Sequence, residues 1–333
     1  MVHGVGDAAY AWIMHYAEVA PAFVAARAGY DVWLGNSRGN TFSRKHTSLD
    51  PKKDAKQYWD FDWQEMGSGD LPAFIDYILD DTEQEKLAYI GHSQGTSQMF
   101  YALSENESYF KDKLSLYVAL GPVTKIPHEQ TKAIKLAADI YDTVATAADL
   151  FGVHDVLDSS WFSSEATKLF CTDGPLRDFC NYMAEAFISG DPKADDPERL
   201  TVKNAHGPYG TPLKSLLHYA QNIREDRFQV WADDYSHWFN IGEKKQTDLI
   251  PLENIKDIPT ALFAGKADKL ADVEDAKWVR DTIGDAVIHY QEIEGGHISF
   301  MIGKDMSYFT NDVMSLLQKY HPLPEVESAV FLQ

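Results

Sequence analysis

Short apolar runs alternate with amphipathic segments along much of this 333-residue chain. The apolar runs are rich in β-formers and end in, or directly before, glycine, histidine or a polar residue: GYDVWLG (29–35), KLAYIGH (86–92), LSLYVALG (114–121), TALFAG (260–265) and AVIHYQEI (286–293). The segments between them have helical spacing: PAFVAARAG, DLPAFIDYILDD, GTSQMFYALSEN, DVEDAKWVRDTI and DMSYFTNDVMSLLQKY. This alternation predicts a mostly parallel sheet that is covered by helices on both faces.

Two aspartates stand where helices are expected to begin. Asp70 precedes Leu71 and a first-turn proline, and Asp272 precedes the segment VEDAKWVRDTI. A short acidic side chain satisfies the free N–H groups of a first turn, and proline is tolerated there. We therefore expect both aspartates to be helix N-caps.

The strand–helix rhythm stops in the middle of the chain. The stretch 123–249 is helix-like and rich in aromatic residues, and it is interrupted by DPKADDPER and HGPYGTP. An insertion of this length between two strands predicts a helical cap with a lid, on a core formed by 1–122 and 250–333. Such caps cover ligand sites above the carboxyl ends of the strands.

Charge argues against nucleic acid as a partner, and hydropathy argues against a transmembrane segment. With 30 Lys and Arg against 51 Asp and Glu, the formal net charge is −21. A polyanion of this size repels phosphate backbones, so nucleic acid is not an expected partner. No apolar run reaches the roughly 18 residues that a transmembrane segment needs.

The strongest chemical signal lies in LAYIGHSQGTSQMF (87–100). Gly91-His92-Ser93-Gln94-Gly95 has the G-x-S-x-G pattern between an apolar run and a helical segment. That setting is typical of a nucleophile elbow, where a sharp turn exposes the serine hydroxyl above the sheet. The N-terminus of the following helix adds positive potential at the same place. Ser93 is therefore the candidate nucleophile.

A nucleophilic serine needs a base and an acid that orients the base. In this architecture they follow in the order serine, aspartate, histidine, each after a strand. Asp268 follows TALFAG, and His297 follows Gly295-Gly296 after the last predicted strand. Asp272 is the alternative acid, but it lies further from the strand and is better placed as an N-cap.

The oxyanion of an ester hydrolase needs two N–H donors. The residue after the nucleophile, Gln94, supplies one, and the loop after an earlier strand supplies the other. His3-Gly4 at the start of the chain turns the backbone there. Val5 is therefore the second predicted donor.

Other chemistries receive little support. The remaining histidines show no metal-ligand spacing, and no calcium-loop pattern is present, so we expect neither a metal nor a cofactor. The two cysteines, Cys171 and Cys180, flank a Gly-Pro turn. Their spacing fits a small disulfide loop and equally fits two free thiols.

In these motifs the chain resembles the acid lipase family of animal and protist α/β-hydrolases, which includes the gastric and lysosomal acid lipases. The resemblance covers nearly the whole chain. It rests on GYDVWLGNSRGN, YWDFDWQEMGSGDLPAFIDYI, YIGHSQGT, ALGPV and GKADKLAD. It implies an α/β-hydrolase fold with a helical cap and lid, a catalytic triad of Ser93, Asp268 and His297, and oxyanion donors at Val5 and Gln94. A Cys171–Cys180 disulfide is implied by the same resemblance, as is a secreted, lysosomal or digestive-vacuole location.

The chain departs from the family pattern in two places. Relatives usually have His-Leu-Asp-Phe where this chain has His297-Ile298-Ser299-Phe300, so we expect a local charge or hydrogen bond to be lost. Relatives also carry first strands upstream of Met1, which resembles a residue inside a central strand between GYDVWLG and KLAYIGH. We expect a chain lacking those strands to make few ladder bonds before Val5 and to position it poorly.

These observations favour a serine hydrolase of lipid acyl esters, such as triacylglycerols or cholesteryl esters, with contact to a lipid–water interface. A carboxylesterase for short or soluble esters is the alternative within the same chemistry. A non-catalytic lipid-binding protein of the same fold is the alternative from another class. The intact serine, aspartate and histidine pattern argues against the last.

Overall fold

The computed structural model of this chain describes residues 1–157, 191–232 and 246–323. The two cysteines lie outside these residues. The strands are β1 Leu87–His92, β2 Leu114–Leu120, β3 Asp155–Val156, β4 Thr211–Pro212, β5 Thr260–Gly265 and β6 Val287–Ile293. The helices are α1 Pro21–Arg27, α2 Ala55–Tyr58, α3 Trp63–Glu65, α4 Leu71–Thr82, α5 Gln94–Phe110, α6 Lys132–Asp139, α7 Tyr141–Phe151, α8 Pro197–His206, α9 Leu213–Glu225, α10 Val273–Ile283, α11 Ser299–Ile302 and α12 Met314–Tyr320. π-helical turns at Met66–Asp70 and Tyr308–Val313 lead directly into α4 and α12.

The main sheet is parallel and has the strand order β1-β2-β5-β6. Its strands match the predicted apolar runs at 86–92, 114–121, 260–265 and 286–293 to within one residue at each end. All four strands point the same way, so their carboxyl ends lie along one edge of the sheet. The residues that follow β1, β5 and β6 therefore meet at that edge.

Apolar side chains cover both faces of the sheet, as the alternation predicted. One face packs against α4, α5 and α10 through a cluster that includes Trp63, Phe100, Tyr117, Leu262 and Val279. The other face packs against α1 and α12 through a cluster that includes Trp12, Val118, Phe263, Phe300 and Phe309. The predicted three-layer α/β architecture is confirmed.

The first two residues extend the sheet beyond β1. Val2 forms parallel bridges to Gly91 on one side and Gly35 on the other, between the two apolar runs predicted to flank it. Met1 and Val2 make four ladder bonds: Met1 N to Trp33 O (2.8 Å), Gly35 N to Met1 O (2.9 Å), Val2 N to Ile90 O (2.9 Å) and His92 N to Val2 O (3.1 Å). The backbone before Val5 is thus paired on both sides, whereas few ladder bonds were expected.

Below Val2 the flanking segments separate around a cavity of about 510 Å³. Its lining includes Trp33, Leu34, Phe74, Tyr89 and Ile90. The prediction of a strand over 29–35 is therefore wrong. A strand needs a ladder partner along its length, and among the described residues this segment pairs only with Met1 and Val2.

The described parts of 123–249 contain α6 to α9 and the short β3–β4 pair. A buried contact holds α9 against the core. His218 stacks on Trp63 with ring centroids 4.2 Å apart, and its Nδ1 lies 3.0 Å from Asp62 Oδ2. Its Nε2 lies 2.8 Å from the carbonyl oxygen of Gln229.

Of the two expected N-caps, one is confirmed and one is wrong. Asp272 accepts a hydrogen bond from the N–H of Glu274 at the start of α10. Asp70 has helical dihedrals and makes no capping bond, because the preceding π-helical turn already continues into α4. Its carboxylate binds Arg38 instead, through the backbone N–H (2.8 Å) and Nε (2.6 Å).

Candidate active site

Ser93 lies in the sharp turn between β1 and α5, at the carboxyl edge of the sheet. Its φ of 54° and ψ of −119° place a non-glycine residue in a strained region of backbone space. The turn is fixed from the next strand, since Ser93 N–H donates to the carbonyl of Leu120 (3.0 Å). Strain of this kind persists only where the surroundings enforce it, and here it falls on the residue immediately before α5.

The two motif glycines are required by close approach. A Cβ at Gly91 would lie 2.8 Å from the carbonyl carbon and oxygen of Gly95. A Cβ at Gly95 would lie 2.5 Å from the carbonyl oxygen of Val2. The pattern G-x-S-x-G therefore has a steric cause in this chain, because the turn must fit beneath the N-terminal segment.

His297 and Asp268 meet where β6 and β5 end. Nδ1 of His297 lies 2.7 Å from Oδ2 of Asp268, and both side chains are buried. The other oxygen of Asp268 accepts from the N–H groups of Leu270 and Ala271, both at 2.9 Å. With the carboxylate acting as acceptor, the ring proton sits on Nδ1 and the lone pair of Nε2 is left for chemistry. Asp272, the alternative acid, caps α10.

His92 supports His297 from the middle of the motif. Nε2–H of His92 donates to the carbonyl oxygen of His297 (3.0 Å), and the two rings lie 4.9 Å apart. Nδ1 of His92 is buried and has no hydrogen-bond partner among the described residues. Burial, reinforced by the nearby His297, lowers the pKa of His92 to about 3. The ring is therefore neutral and acts as a donor to the loop that carries His297.

The loop after Val2 runs directly past Ser93. A Cβ at Gly4 would lie 3.0 Å from Ser93 Cβ and 3.4 Å from Ser93 Oγ. Val5 follows Gly4. Among the described residues, neither the N–H of Val5 nor that of Gln94 has an acceptor. Helix N-termini leave such donors free, and these two lie on the loop and the helix that flank Ser93.

His3 fixes the loop that carries Val5. Its Nε2 accepts from Ser37 N–H (3.2 Å) and Asn40 Nδ2 (3.1 Å), so its proton sits on Nδ1 and is donated to the carbonyl of Gly4 (2.8 Å). Burial lowers the pKa of His3, which keeps the ring in this neutral form.

The segment GNSRGN (35–40) explains why His3 is so well held. Asn36 Oδ1 accepts from Asn40 Nδ2 (2.9 Å) and from Ala9 N–H (3.0 Å), so it orients the amide that contacts His3. Arg38 ties the same segment to the beginning of α4 through Asp70. Sequence reasoning used this stretch as a family signature and did not find its role.

Ser299, which stands where relatives usually have aspartate, makes two hydrogen bonds of its own. Its Oγ accepts from the N–H of Gly296 (2.8 Å) and donates to the buried carboxylate of Asp195. A buried carboxyl group therefore lies beside this turn. Sequence reasoning missed Asp195, because it lies 104 positions away and no motif marks it.

Of the residues predicted from sequence, Asp268 and His297 are in direct contact, and Ser93 and Gln94 are adjacent in the elbow. Val5 follows Gly4, which lies against Ser93. Ser93 Oγ makes no hydrogen bond to His297 among the described residues. Catalytic bonds of this type are often long before substrate binds. The described residues contain no group of three His, Cys, Asp or Glu side chains placed to hold a metal ion. None of their helices is long and apolar enough to cross a bilayer.

Comparison with known proteins adds independent evidence. The model of a family described as alpha/beta hydrolase fold matches residues 1–304. The human lysosomal acid lipase/cholesteryl ester hydrolase is 33% identical over 323 residues, which cover 96% of this chain and 78% of that protein. The rat gastric triacylglycerol lipase is 32% identical over 305 residues, covering 91% and 75%.

A solved structure gives the same fold. A soluble variant of the monoglyceride lipase from Saccharomyces cerevisiae, in complex with a substrate analog, superposes with a TM-score of 0.56. The match covers 96% of this chain and 85% of that one at 15% identity.

Proposed function

Because this chain belongs to the acid lipases, within the alpha/beta hydrolase fold family, we propose that it cleaves triacylglycerols or cholesteryl esters with Ser93 as its nucleophile. It is a carboxylic ester hydrolase of lipid esters. The observation that carries the assignment of residues is the buried His297–Asp268 pair at the same sheet edge as the strained Ser93 turn.

In the first half of the reaction Ser93 Oγ attacks the ester carbonyl carbon, and Nε2 of His297 takes the hydroxyl proton. The tetrahedral intermediate collapses, the bond to the alcohol oxygen breaks, and Nε2 returns the proton to that oxygen. Asp268 stabilises the imidazolium that forms in between. In the second half a water molecule repeats these steps on the acyl-enzyme, which releases the fatty acid and restores Ser93.

The negative charge of each tetrahedral intermediate develops on the former carbonyl oxygen. The N–H groups of Val5 and Gln94 are the proposed donors to it. Their support is the location of Gly4 against Ser93, the helix start at Gln94 and the lack of another acceptor among the described residues. Donors of this kind change the rate by about 10² to 10³ each.

Residues 123–249 are proposed to form a cap over this site. The proposal is supported by α6 to α9 and by the contacts of this region with the active-site loops. Tyr209 N–H donates to Gly6 O next to Val5 (2.9 Å), and Asp196 N–H donates to Ile302 O after His297 (2.8 Å). The Cys171–Cys180 disulfide, within the same region, remains a prediction.

The outer surface of α6 and α7 supports contact with a lipid–water interface. Leu136 on α6 and Ile140 between α6 and α7 are 60% and 45% exposed, and Leu150 and Phe151 at the end of α7 are 71% and 78% exposed. Exposing large apolar side chains to water is unfavourable, and contact with lipid removes that free-energy cost. We propose this surface as the part that meets the substrate aggregate.

The names of the relatives also support a secreted or lysosomal location. Preference for short, soluble esters is the alternative substrate range. One experiment tests both the serine-dependent hydrolysis and the preferred length of the acyl chain. Initial rates are measured on p-nitrophenyl esters from acetyl to palmitoyl, with and without a serine-directed phosphonate, for the parent and for Ser93→Ala.

We expect the phosphonate to label the parent at Ser93 and abolish turnover, and Ser93→Ala to lose several orders of magnitude in kcat while it stays folded. Rates that rise with chain length identify a lipase, and rates that fall identify the carboxylesterase. Near-parental turnover by Ser93→Ala would show that the assignment is wrong.

A further inference from the structure

The turn that carries His297 is closed by hydrogen bonds at both ends. Ser299 N–H donates to the carbonyl of Gly296 (3.2 Å), and Gly296 N–H donates to Ser299 Oγ (2.8 Å). His297 lies inside this closed turn. The position of its ring thus depends on the orientation of the Ser299 hydroxyl, whose lone pair must face Gly296.

A hydroxyl group has one proton, and the acceptor of that proton fixes the direction in which the oxygen lone pairs point. The proton of Ser299 goes to Oδ1 of Asp195. Asp195 and Ser299 are each only 2% exposed, so no solvent competes for that proton. The second oxygen of Asp195 accepts from the N–H of Asp191 (2.8 Å), which holds the carboxylate in place.

The segment around Asp195 is also joined to the stretch after His297 through the backbone. Asp195 forms an antiparallel bridge with Gly303. Lys304 N–H donates to Ala194 O (2.7 Å), and Asp196 N–H donates to Ile302 O (2.8 Å). These bonds place the Asp195 carboxylate over the turn, so that it can act on His297 without touching substrate.

We propose that Asp195 is a positioning residue for His297: its carboxylate fixes the Ser299 hydroxyl, and the hydroxyl fixes the Gly296–Ser299 turn in which the base lies. The inference rests on the proposed function, because it needs His297 to be the base. It assigns an active-site role to a residue of the region proposed as cap. A base displaced by about 1 Å costs on the order of 10² in rate.

The test compares four variants and one control variant with the parent on soluble p-nitrophenyl butyrate. Asp195→Ala and Ser299→Ala each break the link, so kcat should fall by about 10- to 100-fold with KM changed less than about twofold. The double variant should be no slower than either single one, because both changes break the same chain of hydrogen bonds. Asp195→Asn keeps an oxygen for the Ser299 proton but faces Asp191 N–H with an amide, so its melting temperature should fall while kcat stays within about threefold.

Asp196→Ala is the matched control. Asp196 is the adjacent carboxylate and caps α8 by accepting from the N–H groups of Glu198 (2.9 Å) and Arg199 (3.1 Å). Its loss should lower the melting temperature and leave kcat unchanged, since the hydrogen bonds of its side chain within the described ranges go to the start of α8 and not to the turn.

Three outcomes overturn the proposal. A parental kcat in Asp195→Ala does so, as does an equal loss of kcat in Asp195→Asn and Asp195→Ala. Losses that multiply in the double variant also do so, because they would indicate two independent structural defects. If Ser93→Ala is inactive, the proposed function stands, and any of these three outcomes counts only against the role of Asp195. If Ser93→Ala stays active, the proposed function fails and takes this inference with it.

Discussion

Replacing His92 by glutamine should reduce the loss of folding stability at low pH. The size of the effect follows from the burial of the His92 imidazole. Glutamine offers an N–H about as far from the backbone as Nε2 of histidine, so it can still donate to the carbonyl of His297. It does not titrate. The comparison between parent and variant therefore isolates the protonation of His92.

Whether acid stabilises or destabilises the protein depends on whether the folded or the unfolded state binds the proton of His92. The pKa of His92 lies at about 3 in the folded protein because of burial and the neighbouring His297, against 6.5 for an ordinary histidine. Between these values the unfolded chain binds a proton that the folded chain does not, so the free energy of unfolding falls as the pH is lowered. At pH 5 the loss relative to pH 7.5 is about 2 kcal/mol. Any folded pKa below about 4 gives nearly the same loss, since the folded ring is then already neutral at pH 5.

The assay is urea unfolding of both proteins at pH 7.5 and pH 5, evaluated by linear extrapolation. Other titrating groups affect parent and variant alike and cancel in the difference. The parent should lose about 2 kcal/mol more than His92→Gln between the two pH values.

His128→Gln provides a control of opposite sign. His128 is largely exposed, and its hydrogen bond to the buried Asp275 raises its pKa, so its contribution is present at low pH and lost as pH rises through that pKa. Equal acid sensitivity of the parent and His92→Gln would refute the reasoning, because it would mean that the folded protein accommodates the proton on His92.

Three further predictions concern the interface, the triad and the cysteines. Changing Leu150 and Phe151 together to serine should reduce activity on emulsified triolein at least several-fold and leave the rate on soluble p-nitrophenyl butyrate unchanged; equal effects on both substrates would contradict an interfacial role. Asp268→Asn should lower kcat by about 10⁴ because the ring of the base loses its correct tautomer, and a loss below tenfold in steady-state assays would rule Asp268 out as the orienting acid. Mass spectrometry of unreduced peptides from secreted material should find Cys171 joined to Cys180, a loop closure worth roughly 2–3 kcal/mol, and two freely alkylated thiols would disprove it.

The parts of the fold that the sequence predicted are those set by local pattern. The strands at 87–92 and 260–265 follow from continuous apolar runs, and the Ser93 turn follows from two glycines, of which Gly91 is required by a contact within a few residues and Gly95 by the approach of Val2. Asp268 was preferred over Asp272 because of its distance from the strand, and the structure places it against His297.

The errors arise where a residue's partner lies far away in the chain. Asp70 looked like an N-cap, but the helix had already begun and Arg38 competes for its carboxylate. The run 29–35 has strand composition and lacks a continuous ladder partner among the described residues. Asp195 could not be found at all, because its function depends on a fold that brings it to Ser299.

The pairing of Met1 and Val2 has a consequence for local stability. Segment 29–35 is attached to the sheet by the two ladder bonds of Met1, above a cavity, and it leads into Ser37 and Asn40, which hold His3. Regions with few backbone bonds open at free energies far below that of global unfolding. Opening of this segment would release His3 and the loop of Val5 while β1, β2, β5 and β6 remain intact. We therefore expect this local opening, and not the stability of the sheet, to set the lifetime of the proposed oxyanion-binding arrangement.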